Sequence, residues 1–439
     1  MQPADRPVSP LAGAVRLSQV FGLRLFFRRD SREKLIVGAT ILAAAGFVVQ
    51  AVIQFGLLGS SSLQYDYLPY FNAASTLNHG GNPYSVFLQT CATEWCNVGY
   101  IYPPLLAEAF RPLALLPLHA GAYIWLALTY LFFAASVTAV DRTVGSSLSR
   151  GARSALLLAA LLFVPLYASF YFLQVNTLVL LILALAAWAY TRGQDGVAGA
   201  WLGVATVLRV TPLIQAPMLL RRWRDLRRPF GPLAFGLVGL GLLAVLTLLT
   251  RSTIDYLGTV LPRLGGSTAM LDNQSLPGVL LRLQALTGLA SVTWVKVLTL
   301  VLQLGLVALT WWRSLRLEGR KQRAAVFAAF LAVTPIISSI TWNHHLVTEL
   351  LVLALLAPSL RVGSRAWWLT LVSYPLLWMS RDVTDPVVTG LGLAFPSGFA
   401  ILPFVVLTSV NLLGMLLLWL ACLNLLRTYR AAVEPAATL

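Results

Sequence analysis

Charged side chains are scarce in this chain of 439 residues: they make up 11% of it, with only 16 Asp and Glu. Soluble domains carry about 25% charged residues, so a soluble domain is excluded. The three cysteines and four histidines show no metal-ligand spacing. No glycine-rich phosphate loop and no Ser/His/Asp order stands out. These absences argue against metal-dependent and ATP-driven chemistry.

Apolar residues are abundant, at 58% of the chain. Runs of roughly 20 apolar residues recur, which is the length that crosses a bilayer. Only helices and closed barrels satisfy their backbone groups in lipid. The sequence therefore predicts an all-α polytopic membrane protein, a bundle of about 10–12 transmembrane helices. The predicted spans are 35–58, 118–140, 154–172, 176–191, 231–250, 291–312, 324–341, 345–360, 366–380 and 399–425.

The stretch 197–220 is interrupted by Arg209 and Pro212. Read as one crossing, it would put the basic block 221–228 outside, against the positive-inside bias. Read as two short half-helices that dip in and return, it keeps that block inside. We predict the broken, re-entrant hairpin, whose irregular backbone must be buried in protein or line a cavity.

The basic residues divide the chain into two sides. The net charge of +16 is explained by cytoplasmic loops that collect Lys and Arg, and no nucleic-acid partner is inferred. With the hairpin, 25 of the 32 Lys and Arg fall on the cytoplasmic side. We predict a cytoplasmic or interfacial segment 1–34, a membrane domain 35–426 and a cytoplasmic tail 427–439 in a multi-pass protein of the cell membrane.

The first non-cytoplasmic loop, 60–117, is too long for a bare connection. Tyr67, Tyr70, Phe71, Ala74 and Leu77 recur at helical spacing, which predicts an interfacial amphipathic helix. Leu105–Leu118 fits the same description. Cys91 and Cys96 in this loop form a disulfide or stay as two thiols, and both alternatives remain open. Cys422 lies in an apolar run and is expected to be inert.

Polar clusters fall on one predicted side of the membrane. They comprise Asp66 with Tyr70, Asn82 and Tyr84 in GGNPY, Tyr102 in IYPP, Gln174 and Asn176 in QVN, Asn273 and Gln274 in DNQS, and Trp342, Asn343, His344 and His345 in TWNHH. Arg209 lies at membrane depth.

Each cluster also has an ordinary structural interpretation. Asp66 could cap an interfacial helix, the Gly-Asn-Pro-Tyr and Tyr-Pro-Pro motifs suit turns, and His344 could sit at a wet interface. Arg209 is the hardest to explain structurally, because an intramembrane Arg is costly. Together, a carboxylate, a histidine, an arginine and several amides suit proton abstraction from a hydroxyl beside a phosphate held by an arginine fork.

In these motifs the chain resembles the integral-membrane glycosyltransferases of the GT-C fold. More closely, it resembles the bacterial group that contains the polyprenyl-phosphate-mannose-dependent mannosyltransferases of glycosyltransferase family eighty-seven. The resemblance runs from residue 60 to about 350. It implies a lipid-linked sugar phosphate as donor, a lipid or glycan acceptor, a site on the outer face of the membrane and no further cofactor.

The resemblance also implies roles for single residues. Asp66 takes the role of catalytic base, and His344 assists near donor or acceptor, with His345 the weaker candidate. The family often has Lys-x-x-Pro in the broken segment, where this chain has Arg209 and Pro212. Arg and Lys bind phosphate differently, so the phosphate geometry need not follow the family.

The implied reaction is one inverting displacement with Asp66 as the base. The leaving phosphate is stabilised by Arg209 or by Arg251, Arg263 or Arg282. A transporter or flippase for a lipid-linked sugar is the alternative, since it too would place an Arg in a broken helix beside a polar pocket.

Overall fold

The structure is a computed structural model that describes residues 29–58, 66–90, 99–221, 229–393 and 396–433. Within those ranges the regular elements are all helical, as predicted. The α-helices are α1 Arg29–Leu57, α2 Tyr67–Asn78, α3 Ser85–Thr90, α4 Pro104–Phe110, α5 Leu118–Val144, α6 Arg150–Leu161, α7 Val164–Tyr171, α8 Asn176–Thr191, α9 Asp195–Leu208, α10 Phe230–Leu249, α11 Ser252–Asp255, α12 Leu261–Leu264, α13 Leu276–Thr287, α14 Val292–Ser314, α15 Arg320–Ile337, α16 Glu349–Leu356, α17 Arg365–Trp378, α18 Arg381–Gly390, α19 Ile401–Leu407 and α20 Val410–Val433.

Fewer helices than predicted are long and apolar enough to cross a membrane alone. The described ranges contain five such helices: Ser31–Leu57, Leu118–Ser147, Phe230–Leu249, Val292–Ser314 and Val410–Ala432. The pair α6 and α7 adds a sixth if it is one span, bent by 46°. The other predicted spans are short or broken helices. The predicted span 399–425 is divided at Thr408 and Ser409, and only its second part, α20, is one of the five long helices.

The chain breaks at Arg209, as the sequence suggested. Helix α9 ends at Leu208, Arg209 is extended with φ −154° and ψ 125°, and a 3-10 helix follows over Thr211–Leu220. The end of this second half lies beside the start of the first, because Leu219 and Asp195 line one cavity. The two halves thus return to the end from which they started, with Arg209 at the tip.

Both ends of this hairpin are bonded, directly or through Arg323, to the C-terminal end of α8. The hydroxyl of Tyr190 donates to the Met218 carbonyl over 3.4 Å, and Arg221 Nε donates to the Tyr190 hydroxyl over 2.7 Å. Arg323 donates to the Tyr190 carbonyl and forms a salt bridge with Asp195. The basic block that follows, 222–228, lies outside the described residues.

Glycines bring α9 and α10 close together. A Cβ added at Gly199 would lie 2.1 Å from the Gly231 carbonyl oxygen, and one added at Gly203 would lie 2.9 Å from the Phe235 carbonyl oxygen. Small residues allow the backbones of membrane helices to approach each other this closely. It holds the first half of the hairpin rigidly against α10.

The molecule has two chemically different ends, which α5 connects. Gly121, in the first turn of α5, lies against the Tyr67 hydroxyl. Backbone carbonyls in the last turn of α5 accept hydrogen bonds from Arg192 and Arg320. At 27 residues, α5 separates the two ends by about 40 Å. The end near Val144 also holds Arg142, Arg153, Arg221 and Arg323, and we call it the basic end.

The first loop contains the predicted helices α2 and α4. The apolar face of α2 is covered by protein: Tyr67 and Tyr70 are buried, and their rings lie 6.0 and 5.3 Å from the Phe110 ring. This contact differs from the lipid contact that we expected from the helical spacing. The loop therefore forms a cap with its own aromatic core, and Asp66 stands immediately before α2.

Candidate active site

Asp66 is held by the amide of Gln174. Gln174 Nε2 donates to Asp66 Oδ2 over 2.6 Å. The same amide accepts through Oε1 from the hydroxyls of Tyr70 and Tyr102, each over 3.1 Å. Because the two hydroxyls fix the oxygen end of the amide, its NH₂ must point at the carboxylate. The sequence predicted all four residues for the site, and the structure brings them together.

The environment of Asp66 suits a base. Burial raises the pKa of Asp66 above its ordinary value of 3.8, while the hydrogen bond from Gln174 acts in the opposite direction. A carboxylate that is costly to desolvate binds a proton more strongly than one in water. Asp66 is thus a stronger proton acceptor than an exposed aspartate.

An uncommon backbone turn aims Gln174 at Asp66. Leu173 has φ +53°, a left-handed conformation that non-glycine residues seldom adopt. Two bonds hold the turn: Trp125 Nε1 donates to the Leu173 carbonyl over 2.8 Å, and Gln174 N donates to the Ser169 carbonyl over 2.9 Å. Such a conformation persists only where the surroundings enforce it.

Arg209 is anchored two residues further along the same turn. Its guanidinium donates to Asn176 Oδ1, and Asn176 Nδ2 donates to the backbone carbonyl of His344 over 2.9 Å. The turn that contains Gln174 and Asn176 therefore holds the carboxylate with one side chain and the guanidinium with the other.

Both charges act on the same tyrosines. Burial raises the pKa of Tyr102, Arg209 lowers it, and Asp66 raises it. For Tyr70, burial is again the largest cause of a raised pKa, and Asp66 and Arg209 again act in opposite directions. A negative and a positive group thus flank one aromatic pair, whose rings meet edge to face at 5.1 Å.

The rings of His344 and His345 pack against Trp342. The rings of His344 and His345 lie 4.5 Å apart, and Trp342 stacks on His345 at 5.8 Å. Burial and then Arg209 lower the pKa of His344 to about 3, so its ring is neutral. Among the described residues, His344 Nε2 has no hydrogen-bond partner. A neutral imidazole there can accept from, or donate to, a substrate hydroxyl.

A small cavity extends from Arg209 into the hairpin. Arg209, Gln215, Thr341 and His345 line it. Gln215 is fully buried, and neither of its amide atoms has a partner in the described chain. Our reading of the sequence missed Gln215. The available signal was an amide within the apolar run TPLIQAPMLL.

Asn82 and Tyr84 support the cap at a distance from Asp66. Asn82 Nδ2 donates to Asp255 Oδ2 over 2.7 Å, and the Tyr84 hydroxyl donates to the Tyr102 carbonyl over 2.7 Å. Asp255 was not among the predicted site residues. These contacts position Tyr102, and through it Gln174.

Asn273 and Gln274 hold two loops together. Asn273 Oδ1 accepts from Thr341 N over 3.0 Å, and Gln274 Nε2 donates to the Thr408 carbonyl over 2.9 Å. Arg282 donates to the carbonyls of Met270 and Asn273. Arg282 is buried, and these bonds make it a structural link within the loop.

Two further polar residues have other surroundings. Asn343 donates to the Met379 carbonyl over 3.0 Å. Glu349 is fully buried, and in the described structure neither carboxylate oxygen has a hydrogen-bond partner. Our reading of the sequence missed Glu349, although an acid within an apolar run is itself a signal of function. Cys91 and Cys96 lie outside the described residues.

Comparison with known proteins identifies the family. A sequence profile described as Glycosyltransferase family 87 matches residues 100–339, more than half of the chain. The chain belongs to glycosyltransferase family 87. This confirms the resemblance inferred from the motifs and makes the protein a glycosyltransferase. The family match includes Tyr102, Gln174, Asn176 and Arg209, whereas Asp66 and His344 lie outside it.

Family 87 relatives carry mannosyltransferase names. One is the polyprenol-phosphate-mannose-dependent alpha-(1-2)-phosphatidylinositol pentamannoside mannosyltransferase of Mycobacterium tuberculosis, 29% identical over 352 residues that cover 78% of this chain and 79% of the relative. Another is the polyprenol-phosphate-mannose-dependent alpha-(1-2)-phosphatidylinositol mannoside mannosyltransferase of Mycolicibacterium smegmatis, 30% identical over 62% of this chain and 64% of the relative.

One solved structure is similar over most of the length. It is ArnT from Cupriavidus metallidurans bound to undecaprenyl phosphate, and the similarity covers 90% of this chain and 78% of that one, at 15% identity and a TM-score of 0.39.

Proposed function

We propose that this glycosyltransferase moves a hexose, mannose by analogy with its relatives, from a polyprenyl-phosphate donor to a hydroxyl of a lipid or glycan acceptor. The observation that carries the proposal is the turn at Gln174–Asn176. It holds the carboxylate of Asp66 on one side and the guanidinium of Arg209 on the other. A base and a phosphate-binding cation at one turn are what this transfer requires.

The proposed reaction is a single displacement. Asp66 takes the proton of the acceptor hydroxyl while the acceptor oxygen forms a bond to the anomeric carbon. The bond between that carbon and the phosphate oxygen breaks, and its electron pair leaves with the polyprenyl phosphate. The anomeric centre is inverted. No second carboxylate is required, because the phosphate is a good leaving group without protonation, in contrast to the leaving alcohol of a glycosidase.

In this proposal Arg209 stabilises the leaving phosphate. Its anchor on Asn176 fixes the guanidinium, and a preorganised cation in a water-poor site lowers the barrier most effectively. The neutral ring of His344 orients a hydroxyl of donor or acceptor. We place the site on the outer face of the membrane, because the basic end of the molecule is the opposite end and basic loops remain in the cytoplasm.

The test is transfer by the purified protein in nanodiscs. It would be incubated with polyprenyl-phosphate mannose and a lipid extract, and products would be read by mass spectrometry. A lipid or glycan that gains one hexose, with loss of the donor, supports the proposal. Movement of intact donor across the bilayer without any hexose-bearing product would instead favour a flippase. His344→Ala should reduce transfer less than Asp66→Asn if the imidazole only orients a substrate.

A further inference from the structure

A cleft lies towards the basic end, where it is lined by α5 residues from Phe133 to Val144. These residues are about 18–35 Å along the helix from Gly121, which lies beside Tyr67. The cleft has a volume of about 300 Å³, the lower end of the range for ligand sites. Helices α5, α6 and α16 form its walls, and Leu180 of α8 also borders it. The wall residues are mainly apolar, among them Phe133, Val140, Leu157, Ala160, Leu351 and Ala354.

The end of this cleft nearest the molecular surface is charged. Asp141 and Arg153 line it and form a weak ion pair of 3.7 Å, with each side chain about half exposed at 55% and 46%. Arg153 Nε also donates to the Gly145 carbonyl over 2.8 Å. The cleft thus has an apolar interior and a polar mouth.

Further arginines converge on the same turn of α5. Arg192 donates to the Arg142 carbonyl over 3.2 Å, and Arg320 donates to the Thr143 carbonyl over 2.8 Å. Burial and then the neighbouring Arg320 lower the pKa of Arg192, so the two guanidinium groups lie near each other. Each guanidinium has five N–H donors, of which these carbonyl bonds use only a few. Arg192 and Arg320 do not line the cleft, but the carbonyls that they bond lie between its lining residues Asp141 and Val144. Together with Arg153, these two arginines outnumber Asp141, so this end of the cleft is electropositive.

We propose that this cleft binds an anionic phospholipid, with one acyl chain between α5, α6 and α16 and the headgroup phosphate at Arg153, Arg192 and Arg320. The apolar walls match a hydrocarbon chain, and the basic mouth matches a phosphate by charge. Basic pockets between membrane helices are suited to anionic headgroups. No residue that lines the cleft belongs to the proposed glycosyl-transfer site, and the proposal does not depend on the proposed reaction.

The test is competition between two lipids in detergent. The purified full-length protein would be equilibrated with equal amounts of phosphatidylglycerol and phosphatidylethanolamine of identical acyl chains, and retained lipid would be measured by native mass spectrometry. The wild type should retain phosphatidylglycerol preferentially. Ala160→Trp fills the cleft and should abolish retention. The matched control Ala155→Trp changes an exposed position of α6 outside the cleft and should behave as wild type.

A charge variant provides a second, independent arm. Arg153→Gln should lower the preference for phosphatidylglycerol about fivefold, which corresponds to about 1 kcal/mol for one basic side chain. Arg361→Gln removes an exposed charge elsewhere and should leave the preference unchanged. Equal retention of both lipids by the wild type, or unaltered retention and selectivity in both Ala160→Trp and Arg153→Gln, would overturn the proposal. Failure of Ala160→Trp to fold leaves the Arg153→Gln result to decide.

Discussion

Gln174 donates to the Asp66 carboxylate over 2.6 Å, and this contact joins residues 108 positions apart in the chain. It links the cap formed by the first loop to the turn between α7 and α8. The amide oxygen also accepts hydrogen bonds from the hydroxyls of Tyr70 and Tyr102, so the orientation of the amide is determined. The proposed base is therefore held by a residue of the helical bundle rather than by its own loop.

Asp66→Asn should lower the transfer rate by about 10²–10⁴-fold, the usual contribution of a general base. The amide keeps the size of the side chain but cannot accept the proton of the acceptor. Single-turnover transfer in nanodiscs would measure the rate, and donor affinity should stay close to wild type. Asp272→Asn is the matched control, because Asp272 is half exposed and paired with Arg381. Transfer by Asp66→Asn within a few-fold of wild type would exclude Asp66 as the base.

The pH dependence of transfer should report the pKa of Asp66. Only the ionised carboxylate can accept a proton, and burial raises its pKa above 3.8. Transfer should therefore fall as the pH is lowered through that raised pKa. Gln174→Leu removes the hydrogen bond that lowers the pKa, so its acidic limb should move to higher pH. An acidic limb at the same pH in both proteins would show that Asp66 does not control it.

Arg209→Ala should weaken donor binding by about 10–100-fold, as expected for loss of about 1.5–3 kcal/mol from a charged hydrogen bond. Arg209→Lys should restore part of the affinity, because it keeps the charge without the fork. Titration with polyprenyl-phosphate mannose would measure affinity, and thermal unfolding would measure stability. Arg282→Ala is the comparison variant. Because Arg282 bonds to loop carbonyls, its loss should lower thermal stability more than donor affinity. Unchanged donor affinity with lost stability in Arg209→Ala would assign Arg209 a structural role.

Gln215→Leu should leave thermal stability unchanged or raise it, because a buried amide without partners costs about 1–3 kcal/mol. It should weaken donor binding a few-fold, since Gln215 shares its cavity with Arg209. This weaker binding would be measured as a rise in KM with kcat unchanged. Gln303→Leu is the comparison, because Gln303 donates to the Ile337 carbonyl over 2.6 Å and its loss should destabilise the fold. Gln215→Leu less stable than wild type with unaltered KM would contradict the prediction.

Cysteine labelling would test the membrane topology. An impermeant maleimide applied to intact, reduced cells should label Cys91 and Cys96 but not Cys422, which is fully buried. A cysteine introduced at the exposed Ser147 of the basic end, or near Arg224, should react only after permeabilisation. Labelling of either introduced cysteine in intact cells would contradict the proposed orientation.

The helical class and the break at Arg209 could be predicted from the sequence because both have local causes. Apolar runs must be helical in lipid, and Arg209 with Pro212 interrupts a run that would otherwise be continuous. The number of full spans could not be predicted in this way. Hydropathy does not distinguish a 16-residue helix such as α8, packed inside protein, from one that crosses the bilayer alone.

The juxtaposition of the candidate site residues was predictable where residue chemistry alone is informative. Asp66 and Arg209 are rare charges beside apolar runs, and Gln174 with Asn176 lies in the one turn that serves both. Gln215 and Asn273 show which contacts could not be predicted from the sequence. Gln215 reaches the cavity only because the hairpin returns, and Asn273 bonds to Thr341, which is 68 residues away. Partners at that separation leave no periodic or local signal.

The hairpin gives Arg209 an unusual mechanical attachment. Its tip stands about 21 Å from its base, the length of the 14-residue α9, and the base is fixed by Tyr190, Asp195 and Arg323. Arg209 is thus held in two ways, directly by Asn176 at the tip and indirectly by the contacts at the base of the hairpin. In the proposed reaction, a substitution at the base of the hairpin would therefore act on a donor-binding charge from about 21 Å away.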